Sequence, residues 1–266
     1  MEIYSFSGPS GTGKSSYALE FAYQHAIEAI IDDGLLIING DIKGGTSAKF
    51  EKIMIKAVKR AIFTDEEHVK EVKHALNELQ PKKLLIIGTS DKMTNLIAKR
   101  LQVGEIKEYY HIENFRSRQQ MKMARFVRKT EGKHIMPIPV NQIQQNFFKR
   151  LVLKGFEIFS TKREKIGETA IVQPDFHNDL VVFQKKDFIQ CIRKSCEQSK
   201  SVSEVHKIHF SLYPLPKTTI SITYNAKEVE LLIEKTKQLQ EKINEDFNAC
   251  FEIEFERIHI EILHMV

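Results

Sequence analysis

The run Gly8-Pro9-Ser10-Gly11-Thr12-Gly13-Lys14-Ser15 constrains this chain most, because of what stands on either side of it. Before it lies an apolar, strand-like segment, Glu2-Ile3-Tyr4-Ser5-Phe6, and after it Ser15-Ser16-Tyr17-Ala18-Leu19 opens a helix. A glycine-rich turn joining a strand to a helix commits the first element to a sheet whose carboxyl end meets a helix N-terminus. The glycines let backbone N–H groups turn inward without Cβ clashes, and the helix dipole adds positive potential at the same point. A turn of that kind cradles phosphate. With every position filled, Lys14 is expected to reach the β- and γ-phosphates of a nucleoside triphosphate, and the Ser15 hydroxyl to ligate Mg²⁺. The expected nucleotide-binding residues are Gly8, Pro9, Ser10, Gly11, Thr12, Gly13, Lys14, Ser15 and Ser16, with ATP and Mg²⁺ as cofactors.

Strands and helices alternate over the rest of the first part of the chain. Strand-like runs are Ala29–Ile31, Leu35–Ile38, Lys83–Ile87, Ile106–Ile112 and His134–Val140. Helical segments between them carry start signals: a capping-box spacing from Thr64 to Glu67, Ser90 or Asp91 ahead of a helix through Leu101, and Ser117 with Gln120. This pattern predicts an α/β domain over residues 1–143, with a mostly parallel sheet covered by helices on both faces. Residues 144–169 read as a basic connecting segment. A small α+β domain is expected over 170–266, with strands near Leu180–Phe183, Lys207–Leu212 and Thr218–Tyr224 and helices near Asp187–Gln198 and Lys227–Asn248. The apolar face of the second helix is expected to run through Val229, Leu232, Ile233, Thr236, Leu239, Ile243 and Phe247. The tail alternates on odd positions (Phe251, Ile253, Phe255), then on even ones (Ile258, Ile260, Ile262), which predicts a bulge or kink at Glu256-Arg257.

A triphosphate site needs an acidic partner for its metal at the carboxyl end of another strand. Asp32-Asp33, Asp41 and Asp91 all follow strand-like runs. Asp91 stands where a helix cap is expected, and Asp32-Asp33-Gly34 also reads as a hairpin turn. The adjacent carboxylates of Asp32 and Asp33 repel each other, and a metal or a proton relieves that cost. The pair is favoured, with Asp32 as metal ligand and Asp32 or Asp33, beside Lys14, in the chemistry. Asp41-Ile42-Lys43-Gly44 matches the short Asp-x-x-Gly signature of GTP switches, yet no Asn-Lys-x-Asp guanine-reading motif occurs, so ATP is expected. Lys43-Gly44-Gly45-Thr46-Ser47 reads as a cationic loop near the acidic pair. Arg116, Arg118, Arg125 and Arg128 lie where kinases often place a lid that clamps phosphate.

Charge and cysteine usage narrow the partners. The net charge is +5, but Phe115–Lys165 holds thirteen Lys/Arg against three Glu, a local net of +10 that leaves the remainder at −5. That stretch admits nucleic acid or an anionic membrane surface as a partner. Nucleic acid is disfavoured, because basic residues around Phe126, Phe147 and Phe148 also suit a linker or a helix face, and Phe147–Phe159 lacks the clean period of a membrane-surface helix. Three cysteines (Cys191, Cys196, Cys250) cannot all pair, and His206, His209, His259 and His264 lack an accompanying carboxylate motif, so structural zinc is not expected. With no apolar run of membrane-spanning length and no leader, a cytoplasmic protein is expected.

Two resemblances follow from these residues. Through Gly8–Ser15 and the alternation around it, residues 1–143 resemble the P-loop kinase and ATPase superfamily. Through Thr218–Tyr224, Lys227–Asn248 and Phe251–Ile262, the last part resembles the alkaline-shock (envelope stress response) domain. The whole chain resembles an uncharacterised bacterial ATP-binding family that joins these modules, on Ala29–Ile37, Ile87–Asp91 and Glu131–Ile135. That resemblance implies ATP binding and a link to the cell envelope. The leading expectation is Mg²⁺-dependent ATP hydrolysis or phosphoryl transfer to a small acceptor, with a C-terminal domain that localises or regulates it. The other is a non-catalytic adaptor gated by nucleotide, its protein partner bound by the C-terminal domain.

Overall fold

The computed structural model describes residues 1–137, 170–172, 181–225 and 231–266. The connecting segment 144–169 with Phe147–Phe159, the end of the strand expected at His134–Val140 and the start of the helix expected at Lys227 lie outside them. The chain divides into two compact units, Met1–Ser117 with Val127–Leu180, and Arg118–Phe126 with Val181–Val266. These bounds differ from the division into 1–143, 144–169 and 170–266: residues 118–126 cluster with the later unit, and 170–172 with the earlier one.

In the first unit, β1 (Glu2–Ser7), β2 (Ala29–Asp32), β3 (Leu35–Ile38), β4 (Asp41–Gly45), β5 (Lys83–Ile87) and β6 (Glu108–His111) make one sheet, in the order β4-β3-β2-β5-β1-β6. The stretch from β2 through β5 and β1 to β6 is parallel, whereas β3 and β4 are added antiparallel. The sheet is therefore mixed: three of its five strand pairings are parallel, and β3 and β4 extend one edge antiparallel. Two tight turns cause this: Asp33 (φ 48°) with Gly34 (φ 90°), then Asn39 (φ 52°) with Gly40 (φ 84°). Consecutive residues at positive φ give the primed turns whose twist matches a hairpin. The segment expected as a cationic loop is partly the edge strand β4, and its Gly44 sits against Ala75, 3.6 Å from where a Cβ would lie.

Helices cover both faces of this sheet. On one, α1 (Lys14–Gln24) buries Ala18, Phe21 and Ala22, with Phe21 stacked on Phe6 at 4.8 Å between ring centroids. On the other, α3 (Glu66–Leu79) and α4 (Asp91–Leu101) follow α2 (Met54–Ala61), and their Val72, Leu76 and Ile97 join Ile3, Ile31, Leu84 and Ile86 in one core. Asp65, one residue past the expected Thr64, caps α3 by accepting from the His68 N–H, and Ser90 caps α4 by accepting from Met93. Next comes α5 (Arg118–Glu131), whose Arg118–Phe126 portion clusters with the second unit; β7 (His134–Met136) and β8 (Ala170–Val172) pair antiparallel in the first.

The second unit carries α6 (Lys185–Glu197), β9 (Val202–Ser211), β10 (Lys217–Tyr224), α7 (Leu232–Phe251) and β11 (Arg257–Met265), with strand order β11-β10-β9. β10 and β11 are parallel with α7 as their crossover, and β9 is antiparallel to β10. Residues 181–183 form no strand. Phe188, Phe210, Phe247, Phe251 and Phe255 make the core, with Phe247 4.2 Å from Phe255 and 4.8 Å from Phe251 between centroids. Ile233 is 86% exposed, being six residues before Leu239 and so about 240° round the helix from it.

At Glu256-Arg257, where a bulge or kink is expected, the chain bends at Glu256 and β11 then begins, with no strand bulge there. Phe251 ends α7, Glu252 is left-handed at φ 59°, and Ile253 and Phe255 are buried in the connection before β11 begins. The odd-numbered triplet was a helix end and a connector facing the core, so no strand had to change face. The register shift falls later, where Ile222 pairs Ile262 but Thr223 pairs His264. Replacing Phe247, which is fully buried, with alanine is expected to lower the second unit's stability by about 3–5 kcal/mol, read as an earlier urea transition by circular dichroism.

Candidate functional site

The loop at the carboxyl end of β1 is held by its own polar groups. The Thr12 hydroxyl donates to the Pro9 carbonyl at 2.8 Å, and Ser16 donates to the Gly13 carbonyl at 2.6 Å. Gly8 has φ 149°, and a Cβ there would lie 2.4 Å from Ile112 Cγ2, so a side chain is excluded. Gly13, at φ 89°, is the residue from which α1 starts. The buried Lys14 ammonium donates to the carbonyls of Gly8 at 2.7 Å and Pro9 at 2.9 Å. Burial pushes its pKa down to about 8, although Asp32 and Asp33 pull it upward. Arg128 of α5 donates to the Ser10 hydroxyl at 3.0 Å.

Asp32 ends β2 and Asp33 occupies the hairpin turn, so the turn and the acidic pair are one feature. The parallel pairing of β2, β5 and β1 brings their carboxyl ends to the same side of the sheet. There the Ser15 hydroxyl stands close enough to Asp32 to work against the rise of its pKa. A third group completes the cluster. Lys49, from the short 3-10 turn Ala48–Phe50, places Nζ 2.9 Å from Asp33 Oδ2 and 3.2 Å from Asp32 Oδ2. The Lys49 and Asp32 side chains are 6% and 4% exposed, and that of Asp33 is 36% exposed. The turn is fixed where it matters: the Ala48 N–H donates to the Asp33 carbonyl at 2.7 Å, and the Lys49 N–H to Ser47 Oγ at 3.1 Å.

The charges in this cluster set one another. Burial raises the Asp32 pKa, and the like charge of Asp33 adds to it against the pull of Lys49. Burial would raise Asp33 too, but the Lys49 ammonium outweighs it and holds that carboxyl below its usual range. For Lys49, burial is outweighed by the two carboxylates, which raise it.

The other candidates separate from this cluster. Asp41 pairs with Ile38, which pairs with Ala29, so Asp41 lies at the amino end of the parallel strands, opposite the loop. It is half exposed and paired with Lys43 at 3.3 Å. Asp91 accepts from Ser7 Oγ at 2.6 Å and lies 3.1 Å from His111 Nε2. These hydrogen bonds, that to Ser7 foremost, lower its pKa. Of the four arginines, Arg128 meets the loop, Arg116 is buried over the Tyr17 ring, Arg125 is exposed, and Arg118 lies 3.6 Å from Glu254 in the second unit.

Sequence reasoning missed Lys49 and His111. For Lys49 the one signal was a lysine inside the small and apolar run Ser47-Ala48-Lys49-Phe50, where an unpaired charge is costly to bury. Two open cavities, of about 560 Å³ beside Phe63, Lys73 and Arg100 and about 440 Å³ beside Ile42, Thr46 and Phe50, do not include the Gly8–Ser15 loop. Among the described residues no three His, Cys, Asp or Glu side chains converge as a metal-binding group, and no helix is long and apolar enough to cross a membrane. The chain matches no protein-family model, no characterised protein and no solved structure.

Proposed function

We propose that the first unit is a P-loop module that binds ATP with Mg²⁺ at Gly8–Ser15 and hydrolyses it or passes its phosphoryl group to a small acceptor. One observation carries this reading: a buried lysine and the serine after it, at a glycine-built helix N-terminus, stand beside the buried Asp32 carboxylate, whose charge pulls the lysine's pKa upward and whose own pKa the serine hydroxyl works to lower. That donor set fits Mg²⁺, a hard cation that takes few protein ligands and keeps water and phosphate oxygens as the rest. Ser15 and Asp32 would hold the metal, which when bound supplies charge neutralisation at the phosphate oxygens. Lys14 would exchange its loop carbonyls for phosphate oxygens. Arg128, already on Ser10, is the arginine best placed to add a fork of donors. Asp33, held ionised by Lys49, would orient a water or an acceptor hydroxyl.

The second unit, on its resemblance to the alkaline-shock domain, would localise or regulate this activity near the cell envelope, in a reducing compartment suited to its free thiols. A second reading, the nucleotide-gated adaptor, has its own support in α5. That helix carries Arg128, whose guanidinium donates to the Ser10 hydroxyl of the loop. Release of phosphate and ADP from ATP and Mg²⁺, with and without a panel of small metabolites, tests the proposal. Release alone gives an ATPase, and release of ADP only with an acceptor gives a kinase. Tight ATP binding with no turnover under any condition contradicts the enzyme and leaves the adaptor.

A further inference from the structure

Resting on that placement of the metal, we infer that Lys49 is a built-in counter-ion that keeps the Asp32–Asp33 pair closed to divalent cations until a nucleotide arrives. Two carboxylates beside a serine hydroxyl would otherwise attract a divalent cation unaided, because their mutual repulsion is relieved by any positive charge between them. Here that charge is supplied by the chain. The ammonium contacts one oxygen of each carboxylate, it is buried, and its turn is tied to Asp33 through the Ala48 N–H, so the lysine belongs to the same rigid piece as its partners. A buried ammonium persists only when paired, and a buried carboxylate likewise. Asp32 therefore needs Lys49 in the absence of ligand, while Lys49 is held by both carboxylates.

A divalent cation entering this cluster alone would face the lysine at short range and find Asp32 already neutralised. Phosphate oxygens change that balance. They bring the negative charge that lets a metal on Ser15 and Asp32 and the Lys49 ammonium coexist, and they give the ammonium an anion besides Asp33. The site thus admits metal and nucleotide together, and Lys49 acts as a positioning residue for the carboxylates rather than on the reacting atoms.

The test uses the full chain without nucleotide and follows Mn²⁺ by loss of the free-ion resonance signal. Wild type is expected to bind Mn²⁺ weakly. Lys49→Met, which keeps the apolar stem and removes the charge, is expected to bind one Mn²⁺ at least about tenfold more tightly. Lys49→Arg, which keeps the charge, is expected to stay within about threefold of wild type. Equal affinity in wild type and Lys49→Met, or tight binding by wild type, overturns the inference. Should Lys49→Met fail to fold in chelator, Mn²⁺ is expected to restore its circular dichroism, and failure to do so overturns the inference as well. Binding of ATP to wild type is measured separately. Its absence would sink the nucleotide reading while leaving the Mn²⁺ comparison interpretable.

Discussion

Lys14→Ala is expected to lower ATP turnover by roughly 10²–10³-fold while leaving the protein folded. The two effects separate because of where the ammonium sits. In the free protein its hydrogen bonds go to two carbonyls of its own loop, and one of these, that of Pro9, also accepts from Thr12. The variant therefore loses little, and it removes a cation whose burial is costly. That cost has a sign and a window. Lys14 stands at about 8 when folded against an ordinary 10.5, so the unfolded chain binds the extra proton between those values. Below pH 8 the folded state bears the full penalty, on the order of 3 kcal/mol, and it is relieved as the pH climbs from about 8 towards 10.5. At pH 7 the alanine variant is expected to match or exceed the wild type in stability, with the gap narrowing over that window. Nucleotide affinity runs the other way. It is full below pH 8 and falls as the pH rises through about 8, because phosphate recognises the ammonium and not the amine.

Asp32→Asn is the second large effect, an expected loss of roughly 10²-fold in Mg²⁺-dependent turnover. Asparagine keeps the shape and a polar oxygen beside Ser15 but not the charge that would hold a metal, and Lys49 keeps Asp33 as a partner, so the fold survives. Without metal, ATP affinity is expected to change by less than about threefold, since Lys14 and the loop are untouched. Asp41→Asn is the control. At the amino end of the sheet, it is expected to leave turnover unchanged, and equal losses at Asp32 and Asp41 would contradict the assignment.

Much of this site could be read from the chain because its parts are local. Gly8–Ser15 announces itself by glycine spacing between a strand and a helix, and Asp33-Gly34 by the positive φ that a two-residue hairpin demands. The antiparallel strands were harder. Asn39-Gly40 carried the same turn signal, but Lys43-Gly44-Gly45-Thr46-Ser47 has loop composition, and only pairing with β3 and the approach of Ala75 to Gly44 make part of it a strand. In the tail, a helix end and a connector imitated a strand because Phe251, Ile253 and Phe255 all face one core. Lys49 and His111 lay beyond reach for a different reason. Their partners, Asp32 and Asp33 for one and Asp91 for the other, are distant in sequence and meet only when the sheet forms.

The most direct measurement is equilibrium binding of ATP with Mg²⁺ to the full chain at pH 7, wild type beside Lys14→Ala. Saturable one-to-one binding by the wild type, weakened at least about tenfold in the variant, is the expected result. No binding by the wild type, or equal binding by both, would contradict the assignment of Gly8–Ser15 as a nucleotide site.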